Sequence, residues 1–150
     1  MSRRRAAGRP HEDPRRRFAW RVGWSDGVTL SAALAVAAGA VLGAWSRWLL
    51  GLWLNRPGAA LPLGTLTANL AGGLLVGMAL AWFESHPGLS PAWRLFAVTG
   101  FLGALTTFST FSAESLLLVQ RGELGVALLH SAVHLLGCLG AAALGWRLLR

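Results

Sequence analysis

Four stretches of the chain carry no charged side chain, and they decide what it can fold into. They are residues 27–46, 57–83, 95–113 and 124–146, which is 20, 27, 19 and 23 residues. The hydrocarbon core of a bilayer is about 30 Å thick and takes roughly 20 helical residues at about 1.5 Å each. Four such windows joined by short polar segments predict four transmembrane helices, over residues 28–54, 61–83, 92–119 and 124–147. The apolar–polar alternation of barrel strands is absent. The first span is read as continuing past Arg47 through Trp48 to Leu54, with the guanidinium inside the bundle or snorkelling. Trp24, Trp53, Trp82, Trp93 and Trp146 stand near span ends, where amphipathic rings favour the membrane–water boundary.

The charges that do occur are unevenly placed. Arg supplies all 14 basic residues, and eight of them fall in the first 26 positions. Residues 1–26, with Pro10 and Pro14, are read as a disordered Arg-rich cytoplasmic tail ahead of a transmembrane domain over 27–150. Beside a membrane domain, the nearest partner for such a tail is an anionic lipid surface rather than nucleic acid. Only 13% of residues are charged, against about 25% in a soluble domain, so a soluble enzyme or secreted scaffold is excluded. A single cysteine, Cys138, excludes an intrachain disulfide.

Chemistry concentrates in the spans. In span 2, Thr65, Asn69, Gly73 and Gly77 recur every four residues, a row suited to close helix packing. Asn69 has a second reading, because an amide in hydrocarbon must find partners and its NH2 group suits an anion. In span 3, Thr106, Thr107, Ser109, Thr110 and Ser112 put five hydroxyls into seven residues at mid-membrane depth, behind Gly100 and Gly103. Back-bonding to a carbonyl one turn away accounts for one or two of them. Five after paired glycines predict an interrupted helix, whose exposed backbone must be buried in protein or line a cavity. Gly103 is expected to supply the backbone freedom for that interruption. Phe108 and Phe111 share a face, either as packing or with electropositive ring edges toward an anion. Glu114 is a costly intramembrane acid with Arg47 as a conceivable partner. Gly39 and Gly43 give span 1 a contact row. His130 and His134, four apart in span 4, admit three readings: helix contact, pore lining, or a zinc pair lacking a convincing third ligand. No nucleotide loop, nucleophile–base pair or carboxylate pair appears, so the chain is not read as an enzyme.

Three segments together resemble the bacterial fluoride channel family, Fluc, also called CrcB. They are Gly43-Ala44-Trp45-Ser46-Arg47, the run Gly64 to Gly72 around Asn69, and above all the run Gly100 to Glu114. The likeness spans residues 30–150 and leaves out the basic tail. It implies an all-α integral membrane fold of four helices with a break in helix 3, assembled as an antiparallel, dual-topology dimer with two fluoride pores. It also implies a structural sodium ion at the dimer centre, held by the backbone carbonyls of Gly103 and Thr106. On the same likeness Asn69 is the pore amide, and Phe108 and Phe111 turn their ring edges to fluoride. Thr110 is a hydroxyl donor, Arg47 stands near the pore mouth, Glu114 follows the hydroxyl run and Thr65 is a polar position of span 2. His130 and His134 depart from the Tyr and Ser expected in span 4.

The implied function is passive export of fluoride. Hydroxyls, an amide and ring edges can replace the water of a small, strongly hydrated anion without one tight trap. Two alternatives remain. A small multidrug-type transporter needs a coupling carboxylate, typically in its first span, where this chain has Arg47 and no acid. A non-conducting membrane assembly subunit accounts for the glycines but not for the clustered hydroxyls and Asn69. The balance of Arg also bears on orientation: the tail's eight Arg bias the N-terminus inward, favouring a heterodimer with an oppositely biased homologue over a homodimer.

Overall fold

A computed structural model describes residues 28–56 and 61–150, all helical apart from their joints. The Arg-rich tail and Trp24 lie outside the described residues. Helix α1 (Leu30–Leu54) starts at Thr29, whose side chain accepts the Ala32 N–H at 3.2 Å. It ends at Asn55, whose backbone N–H reaches the Gly51 carbonyl at 3.0 Å. The same residue's Oδ1 accepts the Gly64 N–H at 2.7 Å, so one side chain also anchors the next span. Helix α2 (Leu63–Ser85) follows Pro62, where a missing N–H costs nothing.

The third span, Pro91–Gln120, is composite. It opens as a short α3 (Pro91–Arg94) capped by Ser90, then widens into a π-helix (Leu95–Leu102), a winding that is rare and usually confined to single turns. One turn of α4 (Gly103–Leu105) leads to two extended residues, Thr106 (φ −80°, ψ 152°) and Thr107 (φ −146°, ψ 119°). Helix α5 (Phe108–Gln120) restarts from there. The predicted interruption is present, but its placement on Gly103 is corrected. Gly103 has ordinary helical angles (φ −62°, ψ −32°), and a Cβ there would meet only Val98 O at 3.6 Å. The break belongs to the threonines, whose side chains can bond the backbone that the break frees. Gly122, with φ 77°, makes the left-handed turn into α6 (Leu124–Leu148).

Two glycine-mediated contacts set the layout. At Gly39 and Gly43, α1 approaches the π-helix so closely that a Cβ would overlap the Phe96 and Phe101 carbonyls. At Gly77 and Gly145, α2 and α6 mesh against the Ala142 and Leu74 carbonyls in the same way. Small residues permit such approach, and packing rather than hydrophobic transfer holds helices together in lipid. The buried centre is correspondingly small: Ala68, Leu102 and Leu105, with Leu50, Val76 and Phe101 against it. Trp45, Trp48, Leu52, Leu128 and Leu136 point outward. With apolar outer faces and four helices long and apolar enough to cross a membrane, the fold is that of a multi-pass membrane protein.

Candidate functional site

Breaking a helix inside hydrocarbon frees backbone groups that no water can satisfy. Asn69, buried on α2 and 8% exposed, takes two of them. Thr107 N–H donates to Asn69 Oδ1 at 2.7 Å, and Asn69 Nδ2 donates to the Thr107 carbonyl at 3.1 Å. Thr107 also caps α5: its Oγ1 accepts the Thr110 N–H at 3.1 Å and donates to Thr110 Oγ1 at 3.0 Å. Thr110 accepts in that contact, and among the described residues its own hydroxyl proton has no partner. Of the other hydroxyls in the run, Thr106 bonds back to the Leu102 carbonyl at 2.9 Å and Ser112 to the Phe108 carbonyl at 2.8 Å. Ser109 Oγ lies 3.3 Å from Thr107 Oγ1. Back-bonding therefore explains two of the five hydroxyls, and the break accounts for Thr107.

A polar cluster continues from the break between α2, α5 and α6. Thr65 donates to Glu114 Oε1 at 2.6 Å. Glu114 Oε2 lies 3.4 Å from His130 Nε2 without hydrogen-bond alignment. Ser115 Oγ sits 3.0 Å from His130 Nδ1, and Asn69 Nδ2 lies 3.2 Å from His134 Nδ1. Both histidines are buried. Phe111 stacks on His130 (centroids 5.3 Å, planes 20° apart) and leans on His134 at 4.9 Å. Phe108 is 5.4 Å from Phe111 but 73% exposed, the outward member of the pair. Arg47 is not the partner of Glu114: its Nε donates to the Ala104 carbonyl at 3.0 Å, two residues before the break. The shorter Thr65 reaches the acid from the adjacent helix.

Two cavities flank the break, and Thr107 lines both. The larger, about 490 Å³, is bounded by Asn69, Thr106, Phe108, Phe111, His134 and Cys138. The smaller, about 330 Å³, is bounded by Arg47, Trp48, Asn55, Thr65 and Thr110. Its walls combine the guanidinium with the Thr110 hydroxyl, and α5 begins beside it with the positive end of its dipole. Such a cavity suits a small anion. On the far side, the backbone of Gly103 and Thr106 suits a hard cation. The amide that would cap the Gly103 carbonyl, Thr107 N–H, bonds Asn69 instead, and the extended ψ of Thr106 turns its carbonyl out of the helical ladder.

Glu114, His130 and His134 bring one possible ligand atom each to within 4.8 Å of one another, so the third group that the sequence did not offer the histidine pair exists in space. The sequence reading also missed Thr107 as the hinge of the site and Ser115 as the partner of His130. Thr107 was hidden among like neighbours. Ser115 was hidden by a 15-residue separation across the α5–α6 turn.

A sequence profile of CrcB-like proteins (Camphor Resistance, CrcB) matches residues 34–146. A fluoride-specific ion channel FluC of Aromatoleum aromaticum is 60% identical over 119 residues, covering 79% of this chain and 91% of that protein. A protein of the same name from Cupriavidus pinatubonensis is 57% identical over 112 residues, covering 75% and 89%. A third, from Thiobacillus denitrificans, is 53% identical over 117 residues, covering 78% and 94%.

Proposed function

The chain belongs to the CrcB-like family, and on that premise we propose that it is a fluoride-selective channel of the bacterial plasma membrane. It lets fluoride leave the cytoplasm passively and so relieves fluoride toxicity. The reading is carried by one observation: relatives above 50% identity over three quarters of the chain or more are called fluoride-specific channels, and the family profile takes in the broken span and the residues lining its two cavities. The chemistry is consistent with it. Arg47 raises the positive potential at one cavity, whose wall also holds Thr65 and the hydroxyl of Thr110. Phe108 and Phe111 offer ring edges, and His134 lines the larger cavity with His130 packed behind it, in place of a Tyr and a Ser. Numerous weak donors replace hydration while leaving the ion free to move on.

Two finer features belong to the proposal. The functional unit is an antiparallel dimer, either of two copies or of this chain with a homologue. Phe108, Gly103 and the outward face of α1 are left exposed by the single chain, which supports a partner there. A sodium ion at the dimer centre, bound by the Gly103 and Thr106 carbonyls of both subunits, would tie the two breaks together electrostatically. Efflux from liposomes containing this chain alone tests the function. Fluoride should leave down its gradient without a proton gradient, and chloride should be retained. Proton-coupled export of an organic cation with no fluoride flux would replace the channel by a transporter.

A further inference from the structure

We propose that Glu114, His130 and His134 hold one divalent transition-metal ion, zinc above all, in a closed site that clamps α5 to α6. The proposal stands apart from the fluoride reading. Among the described residues, three buried side-chain nitrogen or oxygen atoms lack a hydrogen-bond partner, and all three sit in this one cluster: Glu114 Oε2, His130 Nε2 and His134 Nε2. Buried polar atoms are ordinarily met, so three that converge unmet point to one shared occupant. The histidines are only 1% and 4% exposed, and one ligand atom from each of the three residues falls within 4.8 Å of the others. Glu114 Oε2 and His130 Nε2 are 3.4 Å apart and poorly aligned for a hydrogen bond. That separation is the edge of a zinc tetrahedron, whose ligands at about 2.0–2.1 Å from the metal stand about 3.4 Å from each other.

The groups behind two of the ligands are already set as a metal needs. Ligating histidines give their second N–H to an acceptor, and ligating carboxylates are themselves hydrogen-bonded. Ser115 Oγ lies 3.0 Å from His130 Nδ1 and can accept from it, which leaves the Nε2 lone pair for the ion. Thr65 donates to Glu114 Oε1 at 2.6 Å, which leaves Oε2. His134 is the ligand that must move. Asn69 Nδ2 lies 3.2 Å from its Nδ1, and ligation through Nε2 puts the ring proton on Nδ1. A turn of the ring brings Nε2 inward and gives up that one contact, while Asn69 keeps both of its bonds to Thr107. Phe111 lies against both imidazoles and walls the site with an apolar ring. Two imidazoles and one carboxylate, with a fourth position left for water, suit zinc or cobalt rather than the oxygen-seeking magnesium or calcium. The ion's charge also offsets that of an acid inside the bundle.

The test uses the full chain in detergent, stripped of metal with a chelator. Cobalt chloride should give the intense visible absorption of a four-coordinate ion, and zinc chloride should displace it at one equivalent per chain. Zinc chloride should also raise the melting temperature, and magnesium chloride should not. Glu114→Gln, nearly the same in shape, should lose both responses. Because a changed ligand can unfold a buried cluster, Ser115→Ala and Thr65→Val repeat the test with every ligand kept. Each should weaken zinc binding about tenfold or more while the metal-free protein keeps its size-exclusion profile. His11→Ala, His86→Ala and Cys138→Ala, which alter the other groups able to hold zinc, should bind it as the parent does. The proposal is overturned by a pale, six-coordinate cobalt spectrum or by an equal response to magnesium. Zinc binding that survives Glu114→Gln, or that is lost with His11, His86 or Cys138, overturns it as well.

Discussion

Thr65 and Glu114, 49 residues apart in sequence, are joined by a 2.6 Å hydrogen bond from the threonine hydroxyl to the carboxyl group. It gives one oxygen of an acid inside the bundle its hydrogen-bond partner. Thr65→Val removes the donor at nearly constant volume and leaves Oε1 unmet. It should cost about 1–2 kcal/mol, in the upper range for polar contacts between membrane helices. Thermal unfolding in detergent should show the loss, with Thr65→Ser restoring most of it. An unchanged melting temperature would mean that Glu114 finds water instead.

Phe108 touches Phe111 yet is largely exposed, so it contributes little to the fold of one chain. Phe108→Ile should therefore leave the folded protein intact on size exclusion while cutting fluoride efflux by about tenfold or more, the loss of an interaction worth at least about 1.4 kcal/mol along the path. Phe111→Ile, whose ring packs on both histidines, should reduce flux and stability together.

Gly43 and Gly77 sit where a β-carbon would overlap a carbonyl oxygen of the facing helix. Gly43→Val should prevent α1 from docking on the third span, and Gly77→Val should separate α2 from α6. Both should lose the monodisperse species on size exclusion. Gly140→Ala, where a β-carbon meets nothing, should behave as the parent.

Sodium replacement tests the proposed central ion. With an organic cation in place of sodium, thermal stability of the assembled protein and fluoride flux should fall together. Thr106→Ser should not alter this response, because the backbone carbonyl does the binding and the hydroxyl only returns to Leu102. Equal stability in both media would remove sodium from the proposal.

Without the tail, Arg94, Arg147 and Arg150 stand on one side of the membrane, against Arg56 and Arg121 with Arg47 close to them, nearly a balance. The tail adds eight to the first side. The full-length chain should insert mainly with its N-terminus in the cytoplasm, and deletion of residues 2–21 should restore mixed orientation. Cysteine labelling at the termini reads this directly. Equal labelling from both sides in the full-length chain would support a homodimer.

The spans were legible because the bilayer imposes one simple requirement, an uncharged run of fixed length, and the sequence displays it four times. The broken helix was legible from hydroxyl density, since Thr106 to Ser112 exceeds what back-bonding uses. Its position was not. Glycine suggested freedom at Gly103, whereas the chain extends at threonines that can bond their own freed backbone and borrow Asn69. The resemblance brought together the residues that now surround the break, yet it could not say which proton of Asn69 goes where. That depends on Thr107 and His134, on different spans, and no spacing rule links them. The partner of Glu114 was misread for the same reason: charge complementarity pointed to Arg47, and geometry chose the nearer hydroxyl of Thr65.

The π-helix at Leu95–Leu102 bears on how the gene can change length. An i→i+5 winding stores more residues per turn than an α-helix does, so it holds slack. Loss of one codon within it would be absorbed as the segment tightens toward α-helical winding, with α5 and its phenylalanines kept in register. The same loss within α2 or α6 would rotate everything beyond it by about 100°, swinging Gly77 or Gly145 away from the carbonyls they fit. Natural chains of this kind that are one residue shorter should therefore carry their deletion ahead of the break, and the segment most apolar in appearance is the one where the reading frame of the structure is most forgiving.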